Sequence, residues 1–339
     1  MSKVETTTLK TERFQISDKK STKDIINQFG SLLGLVMLCI ALAFASEKFF
    51  TLTNIMNIAR QSAINSLISV GMLLAILTAG IDLSVGSILA LSTCLMGVAI
   101  IKWNINPFLA MGLCLITGAG LGFLNGIMLT KLKLPHPFIS TLGTKNIARG
   151  LALILTAASP LSGFPKSVQY LGAAFIGPIP VSFILVIIVF IAFSIFLNRS
   201  AQGRYIYAVG GNPEAAKLSG INVSYTLVLV YVLCGTMAAL GGIVLTGRVN
   251  ATFPLAGLDY DLDAIAACII GGASFMGGSG TVWGTLIGAM IMAVLRNGLN
   301  LLGVSADLQT IAIGAVIIGA VYVDVLRRQA SNKAKTQAI

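Results

Sequence analysis

"PVSFILVIIVFIAFSIFLN", residues 180–198, holds nineteen residues and not one charge. Wound as an α-helix it is about 28 Å long, close to the hydrocarbon thickness of a bilayer. A run of this length reads as a membrane span rather than as a buried core helix. Similar intervals recur at 30–47, 62–80, 84–101, 107–130, 145–158, 225–246, 262–276, 281–300 and 307–325. Those at 145–158 and 262–276 are short, which suits half-helices or re-entrant segments buried in protein. The expected fold is an all-α polytopic membrane protein with about ten transmembrane helices. A polar, disordered tail occupies 1–28, a transmembrane domain 29–326 with a long polar loop at 199–224, and a second tail 327–339.

Composition supports this reading. Of 339 residues, 56% are hydrophobic and 10% charged, against about 25% charged in soluble domains. The net charge of +11 is read as a topology signal rather than a nucleic-acid signal. With the N-terminus inside, sixteen lysines and arginines, Lys145 among them, fall in cytoplasmic segments, and five (Lys48, Arg60, Lys102, Lys166 and Arg248) fall outside. That bias puts both termini in the cytoplasm. Ala43-Phe44-Ala45 fits a signal-peptidase pattern, but the polar stretch before it is long for a leader, so the first interval is read as a span. The cysteines (Cys39, Cys94, Cys114, Cys234 and Cys268) lie in apolar runs without C-x-x-C spacing, as small buried hydrophobes do. His136 is the only histidine, so a His-based triad or multi-histidine metal site is excluded, and no metal is expected. Flanked by Pro135 and Pro137, it is expected to shape a cytoplasmic turn.

The loop that follows Arg199 reads "RSAQGRYIYAVGGNPEAAKLSGIN" over 199–222. Asn212 suits an N-cap and Pro213 the first helical position. Glu214 complements the positive helix end, and Gly220 suits a left-handed stop. "PEAAKLS" is therefore expected as about two turns of helix. A helix so short is marginal alone, and small side chains at Ala215 and Ala216 would let a partner groove approach. An ordinary capped loop helix fits the pattern equally well.

Glu214-Ala215-Ala216, three residues, then Gly220 resembles the EAA-x-x-x-G loop of ABC importer permeases. "LTAGIDLSVGSILAL", "GRYIYAVGGNPEAAKLSGINV", "DLDAIAACIIGGASFMGG" and "LRNGLNLLGVS" resemble the permease of the ribose-type, binding-protein-dependent sugar importers of bacteria, from about residue 50 to 325. The resemblance implies a multi-pass protein of the cytoplasmic (inner) membrane that imports a monosaccharide by alternating access. It implies a cytoplasmic ABC ATPase that binds ATP and Mg and docks at Asn212, Pro213, Glu214, Ala215, Ala216 and Gly220. It also implies an extracytoplasmic sugar-binding protein and a second permease chain, read as a homodimer. The chain itself is expected to hold no cofactor: no G-x-x-x-x-G-K-[ST] loop is present, and "GGASFMGGSG" is expected to bend between the eighth and ninth spans. Alternatives are a permease for a branched-chain amino acid or nucleoside, or an ion-coupled transporter, which needs acids or histidines within the spans.

Polar residues among the spans are candidates for the path. Asp82, expected near the cytoplasmic face, either caps the third span together with Ser84 or lines a gate opposite a cation such as Arg149. Gly80 and Gly86 would permit the turn and close packing. Asn65, Asn125, Asn297 and Asn300 either line the path or tie helices together. Asp259 and Asp261, with Asp263, cluster before the eighth span and are read as binding-protein docking residues or helix N-capping acids. Gly118, Gly122 and Gly126, like Gly280, Gly284 and Gly288, recur every fourth residue, as close helix packing requires.

Overall fold

The computed structural model describes residues 22–336. Residues 1–21 and 337–339, most of the expected N-terminal tail and the end of the C-terminal one, lie outside the described residues. The helices in chain order are α1 (Thr22–Ala45), α2 (Leu52–Leu77), α3 (Val85–Ile101), α4 (Pro107–Thr130) and α5 (Pro137–Thr156). Then come α6 (Lys166–Ala173), α7 (Val181–Arg199), α8 (Ala201–Gly211), α9 (Pro213–Leu218), α10 (Val223–Val249), α11 (Tyr260–Ile270), α12 (Val282–Leu301) and α13 (Ala306–Thr336). Four two-residue strands make two antiparallel ladders, β1 (Leu161–Ser162) with β4 (Ala251–Thr252) and β2 (Phe175–Ile176) with β3 (Ile179–Pro180). The fold is thus mostly helical rather than purely so. Helices α2, α4, α7, α10 and α12 are long and apolar enough to cross a membrane, and three shorter apolar helical stretches accompany them.

Several boundaries differ from expectation for local reasons. Helix α2 starts at Leu52, because Thr51 accepts a bond from the Asn54 amide and the polar residues up to Gln61 still wind as helix. Helix α5 is a full 20 residues rather than a half-helix. His136 caps it, its Nδ1 accepting from the Phe138 amide at 3.1 Å, with Pro137 at the first position. The eighth interval is shorter still: α11 ends at Ile270, and the glycine-rich segment 271–281 bends the chain as expected. Helices also extend into both expected tails, α1 from Thr22 and α13 to Thr336.

Helix α2 forms the centre. Every residue from Ser66 to Leu77 is buried, against α7, α10, α11 and α12. A helix that is buried all round needs no polar face. Beside it α4 and α10 cross with backbone nearly touching backbone. A Cβ on Gly118 would overlap the Gly235 carbonyl, one on Gly122 the Tyr231 carbonyl, and one on Gly126 would come 2.7 Å from Val228 Cα. The glycine stripe is a packing device, needed because lipid gives helices no hydrophobic reason to associate. Gly122→Leu is expected to destabilise the fold by about 2–3 kcal/mol through overpacking. Gly120→Leu, whose Cβ meets nothing within 4 Å, is expected to be silent. Monodispersity and thermal unfolding in detergent report both.

Candidate functional site

The polar loop folds as two helices, one more than expected. Ser200 caps α8 by accepting from the Gly203 amide at 2.9 Å. Asn212 caps α9, its Oδ1 accepting from the Glu214 and Ala215 amides, each at 3.0 Å. Pro213 takes the first position, and Gly220 stops the helix at φ +81°. Glu214 and Ala215 are exposed, whereas Ala216 turns inward and is buried. Ala216 therefore packs beneath the helix rather than facing outward. The residue that sequence reasoning missed is Leu218, an apolar side chain 90% exposed at the end of α9.

Helix α8 ties this motif to the bundle. Gly210 lies so close to the end of α2 that a Cβ would overlap the Leu77 carbonyl. The Gly278 amide donates to that same carbonyl at 2.9 Å, and Tyr207 donates its hydroxyl to the Gly280 carbonyl at 2.8 Å. Burial pushes the Tyr207 phenol up to about 12, so it stays a neutral donor. One contact set thus joins α8, the end of α2 and the bend before α12.

Beyond Leu77 the chain reverses. The left-handed residue of the turn is Ala79 (φ +58°), not Gly80. Gly80 is needed because a Cβ would meet the Tyr231 hydroxyl at 2.6 Å, and Gly86 because one would overlap the Gly257 carbonyl. Asp82 is fully buried beside Tyr231 and Cys234 of α10, roughly 12–17 Å along that helix from Val223. It is therefore enclosed within the bundle. Its Oδ1 accepts from the Ser84 amide at 2.9 Å and from the Ser84 hydroxyl, which holds the turn that starts α3. Asn125 donates to Ser84 Oγ at 2.9 Å and accepts from Thr144 Oγ1 at 2.6 Å. Asp82, Ser84, Asn125 and Thr144 form one hydrogen-bonded chain from the start of α3 to α4 and α5, with Asp82 Oδ2 left without a hydrogen-bond partner among the described residues. Arg149 does not meet Asp82; its Nη1 donates to the Pro254 and Ala256 carbonyls.

The other candidates separate. Asn297 and Asn54 exchange amide bonds at 2.8 and 3.0 Å between α12 and α2. Asn300 is exposed and accepts from Gln309 at 2.8 Å. Asn65 lines a cavity of about 150 Å³. Of the acids, Asp259 is exposed at the N-cap position of α11. Asp261 is 1% exposed and paired with Lys145 of α5 at 2.6 Å, so it offers nothing to a docking protein. Asp263 is paired with Arg296 of α12 at 2.7 Å. Both acids sit in the first turn of α11, where the helix dipole favours them. Lys145, counted above among cytoplasmic charges, lies eight residues inside α5. No group of metal-binding side chains occurs among the described residues.

Residues 54–321 match the family described as "Branched-chain amino acid transport system / permease component". The chain is 44% identical over 319 residues to the ribose import permease protein RbsC of Bacillus subtilis (strain 168), covering 93% of this chain and 98% of that protein. It is 42% identical over 307 residues to RbsC of Escherichia coli (strain K12), covering 89% and 95%. To the D-allose transport system permease protein AlsC of the same strain it is 42% identical over 286 residues, covering 83% and 86%. No solved structure matches the chain. Removing one partner of a buried pair leaves an uncompensated charge. Lys145→Met is expected to cost about 3 kcal/mol and Lys145→Met with Asp261→Leu to recover most of it, read as the shift in thermal unfolding in detergent.

Proposed function

The chain belongs to the family of transport-system permease components just described, and from that premise we propose that it is the transmembrane subunit of an ATP-driven importer that moves a monosaccharide into the cytoplasm. The family description names branched-chain amino acids, but the near-full-length relatives bear sugar names, ribose and allose. The substrate reading follows the relatives. As a multi-pass protein of the bacterial inner membrane it transports and performs no chemistry of its own. ATP and Mg belong to a separate cytoplasmic ATPase, and a binding protein delivers sugar from outside. A second copy of this chain completes the pathway. The positive-charge bias supports an orientation with both termini inside, about ten crossings, and α8 and α9 in the cytoplasm.

The observation that carries the coupling role is α9 itself: a fully capped six-residue helix with Glu214, Ala215, Lys217 and Leu218 exposed. A leucine held 90% in solvent on a polar loop suits a partner groove. In this reading, closure of the ATPase dimer displaces α9. Helix α8 passes the displacement to the end of α2 and the bend before α12, and the bundle rocks between inward-open and outward-open states.

Two variants test this. Gly220→Pro removes the left-handed stop, and Glu214→Lys reverses the charge at the helix start. Both are expected to abolish sugar uptake at unchanged membrane abundance. Tagged wild type from native membranes in mild detergent is expected to co-purify an ABC ATPase, detected by mass spectrometry, and Glu214→Lys to recover less. Normal uptake by either variant overturns the coupling assignment, and absence of any ATPase overturns the importer reading.

A further inference from the structure

Gln61 and Asn65 sit one helical turn apart on the same face of α2. With Tyr260, Asp263 and Arg296 they line a cavity of about 150 Å³, whose wall is completed by Ile64, Met292 and Ala293. That is the liquid volume of about five waters, the size class of one small sugar ring. We propose that this cavity is a subsite for a single monosaccharide ring on the translocation path, a proposal that rests on the sugar-import reading above.

The chemistry fits a polyol. A sugar hydroxyl both donates and accepts, so it is recognised by amides, carboxylates and guanidinium groups held around an apolar wall. The cavity offers two amides, a phenol, a carboxylate and a guanidinium, together with the apolar side chains of Ile64, Met292 and Ala293 for the ring's C–H groups. Arg296 engages Asp263 through Nη2 alone, at 2.8 and 2.7 Å, and a guanidinium carries five donors. Asn65 is reached only by a long 3.4 Å bond from Ser69 among the described residues, so most of its capacity is unspent.

Placement argues the same way. Asn65 is halfway along α2, and Arg296 lies within α12, with a side chain 32% exposed. A third-exposed guanidinium at that depth is costly against lipid, and ionisable groups within spans face water-filled cavities and pathways. That exposure suits a cavity that opens to water.

The test uses the full importer, permease with ATPase and binding protein, in proteoliposomes. Labelled D-ribose, D-allose, D-fructose and D-galactose are offered, and the sugar imported by the parent is the probe. Gln61→Ala with Asn65→Ala is expected to cut uptake about tenfold at unchanged assembly with the ATPase. Separately, Asn65→Cys in a Cys39→Ala background is labelled with a maleimide. Transported sugar is expected to slow that labelling at least about threefold, as occupancy of a site at [S] of a few times its dissociation constant requires. A structural role for Asn65 would not produce such protection. A parent that imports sugar, with full uptake by the double variant or labelling indifferent to sugar, overturns the subsite and leaves the importer reading intact. A parent that imports none of the four overturns the monosaccharide reading and the subsite with it.

Discussion

A carboxylate in a low-dielectric interior must meet a cation or lose its charge. That constraint organises the middle of this bundle. Helix α11 begins with two buried acids two residues apart, and neighbours on different helices supply the cations. Lys145 of α5 meets Asp261, and Arg296 of α12 meets Asp263. The first turn of an eleven-residue helix is thereby clamped between two longer ones. The same arrangement leaves each cation about one-third exposed. The cations thus keep partial exposure while the acids stay buried.

Close backbone contact does complementary work. Where α4 meets α10, α8 meets α2, and α3 meets the loop before α11, a Cβ on the contacting glycine would overlap a carbonyl oxygen. Packing at this distance transmits displacement because it leaves no slack. The route from α9 through α8 to Leu77, and on to the Ala79 turn that leads to Asp82, consists of such contacts and short hydrogen bonds. Asp82 then connects through Ser84 and Asn125 to Thr144 on α5, one residue before the Lys145 clamp. Helix α9 and the ion pairs are thus linked by one contiguous chain of contacts.

Much of this was legible in the sequence because it is local. Uninterrupted apolar runs reveal α3, α4 and α7 to within a residue at each end, and α10 to within three, since hydropathy decides membrane insertion along the chain itself. The α9 helix was readable from Asn212, Pro213 and Gly220, because caps act within a few residues. The α4 glycine stripe was readable because its spacing is a property of one helix. Polar helices were harder. Helix α5 hid behind Ser140, Thr141, Thr144, Lys145 and Arg149, and α8 behind a stretch that reads as loop, because their stability comes from packing rather than composition.

What no local rule could decide is which side chains meet. Asp82, Ser84, Asn125, Asn297 and Asp261 were identifiable as polar residues in or near apolar surroundings, but their partners lie on other helices, far along the chain. Asn54 and Asn297 are separated by 243 positions, and Lys145 and Asp261 by 116. Only the folded bundle closes those pairs and leaves Asn65 facing a cavity. The sequence by itself determined that this chain is a helical membrane protein with a capped helix at 213–218, because those properties follow from contiguous residues. The tertiary structure decided which polar groups are spent holding helices together and which line a cavity, because that depends on distances between segments that the linear chain does not encode.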